Sequence, residues 1–437
     1  MKKTAILILA MLSLMACGKD DSPEIDMEQE IPDAEEPIVE DPVPDPPANN
    51  APDSFNLIEV ANNAVDIDVL PTMFSWEAAT DPDGDAVSYS MFLDQEENPT
   101  TPLVEDITAT NFETTERLGL YETYYWNVVA SDTEGATTTS STNTFSTRGI
   151  NFETATAINE APQFSGRFGH TSVVFDNKIW VIGGSESGAR TNDVWYSSDG
   201  ITWIEATDEA EFSPRLRHTS VVFDNKIWVI GGEVSVNRGI GDAWYSSDGV
   251  TWTEATNDAG FFSIVAHTSV VFDDKMWVIG GSVTGLTDDV WYSSDGVSWT
   301  LATGAAEFPA RATHTSIVFD DKIWVIGGSG RINSGTNVWF SSDGITWEEA
   351  TDDAGFSSRT GHSSVVFDNK MWSIAGRDPS AFNDVWFSRD GITWEQATDS
   401  AVFSDRFEHS SVVFDNKIWV IGGAFSGQRF NDVWAFE

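Results

Sequence analysis

Residues 167–184 read RFGHTSVVFDNKIWVIGG, and five later stretches of the chain repeat this phrase with few changes. In the first copy a variable segment follows, and then comes a second phrase, NDVWYSSDGITW, at residues 192–203. Self-similarity at a period of roughly 48 residues is typical of one supersecondary unit repeated in a stacked or closed array. The histidine of each copy marks this period: His170, His218, His267, His314, His362 and His409.

Each unit predicts four short strands. The second strand is apolar on both faces, which is typical of a strand covered on both sides. Asp176-Asn177 and Asp199-Gly200 are residue pairs that accept the positive φ angles of tight hairpin turns. The four predicted strands of the first copy are 170–175, 178–182, 193–196 and 201–204.

The sixth copy ends early, and this predicts how the array closes. The chain stops shortly after Trp434, without a second turn and fourth strand, whereas residues 149–156 match residues 391–398 nearly position for position. The offset predicts a ring in which a strand around 150–155 completes the last unit. Phe152 then occupies the only one of eighteen repeated tryptophan positions that lacks tryptophan.

The histidine followed by Ser or Thr, the double glycine after I-W-V-I and the tryptophans at fixed offsets resemble kelch repeats. The resemblance covers residues 149–437 and implies a six-bladed kelch-type β-propeller of the galactose oxidase-like superfamily. Because the same tryptophan recurs in every unit, we interpret these side chains as inter-blade core and not as ligand platforms.

Residues 51–148 predict a separate domain of short strands. Apolar alternation occurs at 72–76, 87–93 and 124–130, with Gly, Pro and Asp at the breaks. The order F-S-W, D-P-D-G-D, V-S-Y and Y-Y-W-N-V-V-A-S-D resembles a fibronectin type III-like domain, which implies an immunoglobulin-like β-sandwich. In such a domain Trp76 and Leu118 would belong to the core, and Tyr124 would pack near a strand corner.

The D-P-D-G-D segment allows two interpretations. Asp81, Asp83 and Asp85 alternate in a tight loop, and alternating carboxylates suit calcium, a hard cation. No bidentate glutamate at a fixed offset completes a known calcium loop, however, so we favour a solvated turn between two strands. No other cofactor is expected.

The first residues predict export and lipid anchoring. Lys2 and Lys3 precede an apolar run from Ala5 to Leu14, and Leu14-Met15-Ala16-Cys17 resembles the lipobox of bacterial lipoproteins. The resemblance implies that residues 1–16 are a signal peptide and that Cys17 carries lipid, which attaches the protein to a membrane without crossing it. The alternative is an ordinary secretory signal with a chance cysteine. Lys19-Asp20-Asp21 is similar to the acidic tag that directs some lipoproteins to the outer face of the outer membrane.

Residues 17–50 are rich in proline and carboxylates and predict a disordered acidic linker. The 437-residue chain has a formal net charge of −47, and this argues against nucleic-acid partners, which require clustered Lys and Arg. Cys17 is the single cysteine, so the folded part contains no disulfide. We expect a monomer.

Two predicted faces of the propeller differ in variability. The first-to-second and third-to-fourth turns, F-D-N-K and S-S-D-G, are nearly invariant and define a constant face. The second-to-third loops and the links between units define a variable face, where recognition usually resides. All six propeller lysines lie on the constant face, and eleven of the twelve propeller arginines lie on the variable face, Arg389 being the exception.

The arginines of the variable face form two sets. One set lies three residues before the histidines and is periodic, except that Ile264 replaces arginine in the third copy. These arginines either pair with carboxylates of the E-A-T-D-D-A links or bind an anionic or carbohydrate partner, and we favour pairing. The other set comprises Arg217 and five arginines that are the candidate ligand-binding residues: Arg190, Arg238, Arg331, Arg377 and Arg429. For this set, binding of a partner and pairing with local carboxylates are equally favoured.

The repeat shares features with three kinds of enzyme. The S-S-D-G-x-T-W turn is similar to the Asp-box of sialidases, but that box is a structural turn, so it indicates a propeller and not sialidase activity. Galactose oxidase requires copper and a Cys–Tyr crosslink, and the propeller sequence has no cysteine to form it. The kelch-type sialate mutarotases remain an alternative. All six histidines occupy one repeat position, so we interpret them as structural and neither as catalytic residues nor as ligands of a metal at the channel mouth. The sequence therefore predicts a surface lipoprotein that binds an extracellular protein or glycan.

Overall fold

The computed structural model describes residues 48–155, 157–261, 263–282, 284–330 and 334–437. The lipobox, Cys17 and nearly all of the acidic linker lie outside these ranges. The chain divides into two units, residues 1–49 and 50–437, and every strand given below belongs to the second. The described residues are all-β, as predicted, and they include no helix capable of crossing a membrane.

Residues 57–147 form two sheets that share one core. The strands are β1 (Leu57–Glu59), β2 (Ala64–Ile67), β3 (Met73–Trp76), β4 (Ser88–Asp94), β5 (Pro102–Ile107), β6 (Asn111–Glu113), β7 (Thr123–Ser131), β8 (Thr137–Thr139) and β9 (Asn143–Thr147). One sheet has the order β1-β3-β6, and the other has the order β2-β9-β7-β4-β5 with β8 beside β7. Phe74, Trp76, Trp126 and Phe145 pack in the core. Leu118 lies at its edge, and Tyr124 stacks on Phe145.

The described residues of 167–436 form six consecutive main sheets and two short two-stranded sheets. The strands of the first three main sheets are β10 (Arg167–Phe168), β11 (Thr171–Phe175), β12 (Lys178–Glu186), β13 (Ala189–Ser197), β14 (Ile204–Thr207); β15 (Thr219–Phe223), β16 (Lys226–Ile230), β19 (Ala243–Ser246), β20 (Thr253–Thr256); and β21 (Thr268–Phe272), β22 (Lys275–Ile279), β23 (Val290–Ser293), β24 (Thr300–Thr303). Between β16 and β19, β17 (Glu233–Ser235) and β18 (Arg238–Gly239) form a two-stranded sheet. Within each sheet the main strands pair antiparallel in chain order.

The other three sheets follow the same plan. Their strands are β26 (Thr315–Phe319), β27 (Lys322–Ile326), β29 (Val338–Ser341), β30 (Glu348–Thr351); β31 (Ser363–Phe367), β32 (Lys370–Arg377), β33 (Ala381–Ser388), β34 (Trp394–Thr398); and β35 (Ser410–Phe414), β36 (Lys417–Phe425), β37 (Gln428–Phe436). Beside the fourth sheet, β25 (Arg311–Ala312) and β28 (Ser329–Gly330) form a two-stranded sheet. In the first sheet β14 begins at Ile204 and not at the predicted residue 201. The reason is that the Asp199 carboxylate accepts the backbone N–H groups of Ile201 and Thr202 and holds them in the turn.

The first long strands of the six sheets neighbour one another in a closed circle, since β35 also contacts β11. A ring of backbone hydrogen bonds seals this circle at the residue preceding each histidine. Each of these residues has positive φ and donates its N–H to the carbonyl of its counterpart in the preceding sheet, at 2.7 to 3.1 Å. The six residues of this backbone ring are Gly169, Arg217, Ala266, Thr313, Gly361 and Glu408.

The sixth sheet shows how the two ends of the array meet. It has three regular strands, and the place of a fourth is taken by Asn159, which forms a bridge with Val433 of β37. Residues 150–155 form no regular strand, because the Asn151 side chain accepts the N–H groups of Glu153 and Thr154 and turns the chain. Phe152 is buried and packs on Phe436 with ring centroids 4.8 Å apart. The residue that pairs with β37 therefore lies downstream of the predicted closing strand at 150–155.

Adjacent sheets pack through a tryptophan placed over a glycine. A Cβ atom added to Gly249 would lie 2.1 Å from the Trp180 ring, and Gly249 has φ +73°. We expect Gly249→Ala to lower the free energy of unfolding by about 3 kcal/mol, because the left-handed strain and the steric clash add. Gly188→Ala is the matched control, since its φ is +91° but no atom lies within 4 Å. If urea unfolding showed equal losses of unfolding free energy for Gly249→Ala and Gly188→Ala, this packing would be contradicted.

The fifth sheet differs from the others because the 50–148 region docks on its constant face. Asp368 accepts hydrogen bonds from the Arg117 side chain and from the Leu120 N–H, the latter at 2.6 Å. Tyr121 packs on Phe387 at 4.6 Å between ring centroids, and Arg389 contacts Glu122 at 3.2 Å. The one propeller arginine outside the variable face therefore serves this contact.

Candidate functional site

The six histidines line the central channel and are nearly completely buried. Each Nε2 atom lies 2.7 to 3.1 Å from a Thr or Ser hydroxyl at the start of the preceding sheet, for example Thr171 for His218. The same hydroxyl also contacts a serine of the next sheet, as Thr171 contacts Ser220 at 2.6 Å. The histidines thus belong to a hydrogen-bonded belt that joins all six sheets.

Burial fixes the charge state of this belt. Burial, assisted by nearby Arg167, lowers the pKa of His170 to about 3, and burial likewise lowers the pKa of His267 to about 3. The imidazoles are therefore neutral at pH 7. Among the described residues, no group of three or more His, Cys, Asp or Glu side chains could hold a metal ion.

The channel below the histidines is lined by hydroxyls and encloses about 200 Å³. Two consecutive Thr or Ser side chains come from each sheet, such as Thr171 and Ser172 from the first. A wall of this kind offers both donors and acceptors, so it suits water or a polyol better than an apolar ligand.

The channel mouth breaks the six-fold symmetry of the fold. Arg217 and Glu408 flank Gly169 in the backbone ring, and the Arg217 Nη2 atom lies 2.7 Å from Glu408 Oε1. Burial disfavours the charged guanidinium, but Glu408 outweighs this effect and, with Glu233, raises the pKa of Arg217. Arg217 therefore stays charged, and an ion pair lies at the mouth of a polar channel.

The arginines three residues before the histidines are structural. Arg167, Arg215, Arg359 and Arg406 are fully buried, and each forms two hydrogen bonds with an aspartate carboxylate. Pairing was expected, but the partner is the aspartate of the third strand, as in Arg215–Asp242, and not a link carboxylate. In the fourth unit Asn337 replaces the aspartate in the sequence, Arg311 donates to the Gly327 carbonyl, and burial lowers the pKa of Arg311 to about 10.

The candidate loop arginines occupy different environments. Arg190 pairs with Glu233. Arg377 stacks over Phe407 at 3.9 Å, and Arg429 lies over Phe168 at 5.3 Å. Arg238 is exposed, and Arg331 lies outside the described residues.

A groove of about 560 Å³ brings part of the variable face together. Its walls come from the loops of the second and third sheets and include Arg217, Arg238 and Asn237 together with Ser263, Ser282 and Thr313. The link residues pair with the second-to-third loops, as Leu216 pairs with Glu233. Arg217 connects this groove with the channel mouth, because it lines both.

The Asp81 loop is held by its own hydrogen bonds. Asp81 Oδ1 accepts the N–H groups of Asp83 and Asp85 at 2.9 and 3.2 Å. Asp83 accepts the Asn50 N–H at 2.7 Å. These hydrogen bonds hold the segment as a turn.

Glu408 was missed by the sequence reasoning, which found no asymmetric acid–base pair. Its signal is present in the sequence, since the residue before the six histidines is Gly, Arg, Ala, Thr, Gly and Glu in order. Only the closed ring shows that Arg217 and Glu408, 191 positions apart, are near neighbours.

Comparisons with known proteins agree with this fold. Residues 266–437 match the KLHDC2/KLHL20/DRC7 Kelch-repeats domain, and residues 166–196 match the Kelch motif. The solved structure of YjhT is 13% identical to this chain, with a TM-score of 0.53, and the match covers 64% of this chain and 97% of the YjhT chain. At that identity the likeness shows the fold alone. None of the curated proteins matches the chain. The protein therefore contains kelch repeats in an all-β fold of the propeller type.

Proposed function

We propose that the protein is a surface-anchored binding protein. In this proposal Cys17 carries the lipid anchor in the outer membrane and the acidic linker separates it from the folded part. An immunoglobulin-like, fibronectin type III-like sandwich and a six-bladed kelch propeller follow, and the propeller is closed at Asn159 and Phe152. The variable face binds an extracellular protein or glycan.

The groove between the second and third sheets is the observation that carries the binding function. It is about 560 Å³ in volume, and its walls offer guanidinium, amide and hydroxyl groups. Arg238 is exposed there in a protein with a net charge of −47. An exposed guanidinium on an otherwise acidic surface suits carboxylates and sugar hydroxyls.

A sugar-handling enzyme of the kelch sialate mutarotase type is the second candidate, and the Arg217–Glu408 pair favours it. The guanidinium of Arg217 can bind the carboxylate of an acidic sugar, and Glu408 can exchange protons with the ring oxygen of that sugar. The hydroxyl-lined channel beneath the pair suits a polyol. In this candidate the histidines take no part, because each Nε2 atom is engaged by a Thr or Ser hydroxyl of the belt.

Glycan and protein arrays probed with soluble protein comprising residues 51–437 test the binding function. We expect Arg238→Ser to weaken a hit about tenfold or more, because the ligand loses a charged hydrogen-bond donor. Lys226→Ser is the matched control, since Lys226 is a half-exposed cation of the constant face. Loss of binding with Lys226→Ser but not with Arg238→Ser would mean that the binding site lies on the constant face, and this would contradict the proposal.

Exchange of sialic acid anomers, followed by NMR with the same protein, tests the enzyme. Under the binding proposal the wild-type protein does not accelerate exchange. Acceleration that Glu408→Gln abolishes would favour the mutarotase function instead.

A further inference from the structure

The third sheet lacks a cation that the other five bury. Arg167, Arg215, Arg311, Arg359 and Arg406 occupy one repeat position, and Ile264 occupies it in the third unit. Ile264 is itself buried, so it replaces the aliphatic stem of the arginine but not its guanidinium. The aspartate partner is retained in this unit as Asp289.

Asp289 borders an open pocket. The pocket is about 490 Å³ in volume and is lined by Phe261, Ile264, Leu286, Asp289 and Trp291 among others. Within the described ranges, the Asp289 carboxylate has no salt bridge with Arg or Lys, whereas Asp193, Asp242, Asp384 and Asp432 each have one. The pocket therefore combines a free carboxylate with aromatic and aliphatic walls.

The local backbone explains why this pocket is open. In the first sheet β12 and β13 continue past the double glycine as a hairpin, and β10 pairs with Ser185 and Glu186 of this hairpin. In the third sheet β22 ends at Ile279 and β23 begins at Val290, and Ser282 forms only isolated bridges, with Val265 and Leu286. Residues 284–287 consequently stand on one side of the pocket, and Gly260, Phe261 and Ile264 stand on the other.

The neighbouring sheets show which group fits beside this aspartate. In the second sheet both Nη atoms of Arg215 lie 2.8 Å from the Asp242 oxygens, and Nη1 also donates to the Gly231 carbonyl at 2.8 Å. The Arg215 guanidinium lies 5.3 Å from the centre of the Phe212 ring. The third unit keeps the equivalents of these groups as Asp289, Gly280 and Phe261.

The charge and the walls of the pocket favour a guanidinium over an ammonium. A net charge of −47 attracts cations, and the Asp289 carboxylate gives the attraction a fixed direction. A guanidinium is planar and weakly hydrated, stacks on aromatic rings and binds a carboxylate through two parallel hydrogen bonds. Phe261 and Trp291, with ring centroids 6.1 Å apart, provide the aromatic surface.

We propose that this pocket binds the guanidinium of an arginine presented by a protein partner. The proposal rests on the binding function argued above and names a chemical feature of the partner. The bound arginine reaches Asp289 from the solvent side, between residues 284–287 and the Phe261 segment, because Ile264 fills the route that the chain's own arginine takes in other sheets.

Titration of the 51–437 protein with a short peptide containing one central arginine tests the proposal, with calorimetry as the readout. The same peptide with citrulline, a neutral isostere, and with lysine provides the ligand controls. We expect the arginine peptide to bind, the lysine peptide to bind more weakly and the citrulline peptide not to bind. Equal affinity for the arginine and citrulline peptides would overturn the proposal.

Variants of the protein give a second test. Asp289→Asn removes the charge of the pocket, and Ile264→Arg supplies an internal guanidinium. Both substitutions are therefore expected to lower the affinity for the arginine peptide about tenfold or more. Ile264→Arg is also expected to raise Tm, and measurement of Tm will establish that the variant is folded. Asp288→Asn is the matched control and should bind as the wild type does. Unchanged binding by Asp289→Asn would refute the site.

The outcomes separate this proposal from the proposed function. An array hit that is lost with Arg238→Ser but kept with Asp289→Asn and Ile264→Arg would uphold the binding function and reject the guanidinium pocket. An arginine peptide that binds the wild type but not Asp289→Asn, with no array hit, would uphold the pocket and reject the broader function.

Discussion

Lowering the pH from 7 to 5 is expected to reduce the free energy of unfolding by about 2 kcal/mol for each buried histidine. The pKa values of His170, His267 and His362 are about 3 in the folded protein, against 6.5 for an ordinary histidine. Between these values the unfolded chain binds protons that the folded protein does not, so stability is present above pH 6.5 and is lost as the pH falls towards 3. Burial lowers the pKa values of the other three histidines in the same direction.

Urea unfolding at pH 7, 6 and 5 and at constant high salt measures this dependence. High salt is needed because protonation of carboxylates relieves repulsion in a chain with a net charge of −47, which opposes the histidine effect. Backbone hydrogen bonds also lower the pKa of Asp199, but that carboxylate contributes only in more acidic solution. His314→Gln should reduce the proton uptake on unfolding by about one. A stability independent of pH between 7 and 5 would contradict the buried, neutral belt.

Asp242→Ala is expected to lower the free energy of unfolding by about 3–5 kcal/mol, because it leaves the Arg215 guanidinium buried without its carboxylate. Arg215 is 0% exposed and Asp242 is 3% exposed, so water cannot replace the lost partner. Asp289→Ala removes the same repeat residue in the sheet where Ile264 stands in place of arginine. That control is expected to change stability by less than about 1 kcal/mol.

Calorimetric or urea unfolding of the two alanine variants, at pH 7, gives the comparison. The pair isolates the charge partner, since both substitutions truncate the same side chain at the same place in the repeat. A loss for Asp289→Ala as large as for Asp242→Ala would mean that the aspartate acts through its backbone turn and not through arginine.

The repeat predicted the sheets because local patterns determine them. The apolar segment after the F-D-N turn, K-I-W-V-I in the first unit, became the second strand of each sheet, and the periodic histidines lie buried in a hydrogen-bonded belt. The aspartate partner of Arg215 was not identified, because residues 26 to 27 positions apart meet only after the sheet has formed. The contact of Arg389 with Glu122 spans 267 positions and has no local signal.

The candidate site was predictable only in part. Replacement of arginine by Ile264 was visible in the sequence, but its consequence depends on the short connection that leaves Asp289 beside an open pocket. The closing segment near Phe152 was placed in the ring but not in register, because the Asn151 side chain turns the chain before it pairs. Arg238 lines a groove, whereas Arg190 is occupied by Glu233, and the sequence does not distinguish the two.

In the backbone ring around the channel mouth, main-chain groups close the circle and side chains line the opening. Its six hydrogen bonds use only N–H and C=O groups, so the identity of the side chain does not decide whether the circle closes. This accounts for the presence of Gly, Arg, Ala, Thr and Glu at one repeat position in one molecule. Divergence after duplication of the unit can therefore alter the aperture one side chain at a time. Each of the six positions is a point where the side chains around the channel mouth can change while the backbone ring is kept.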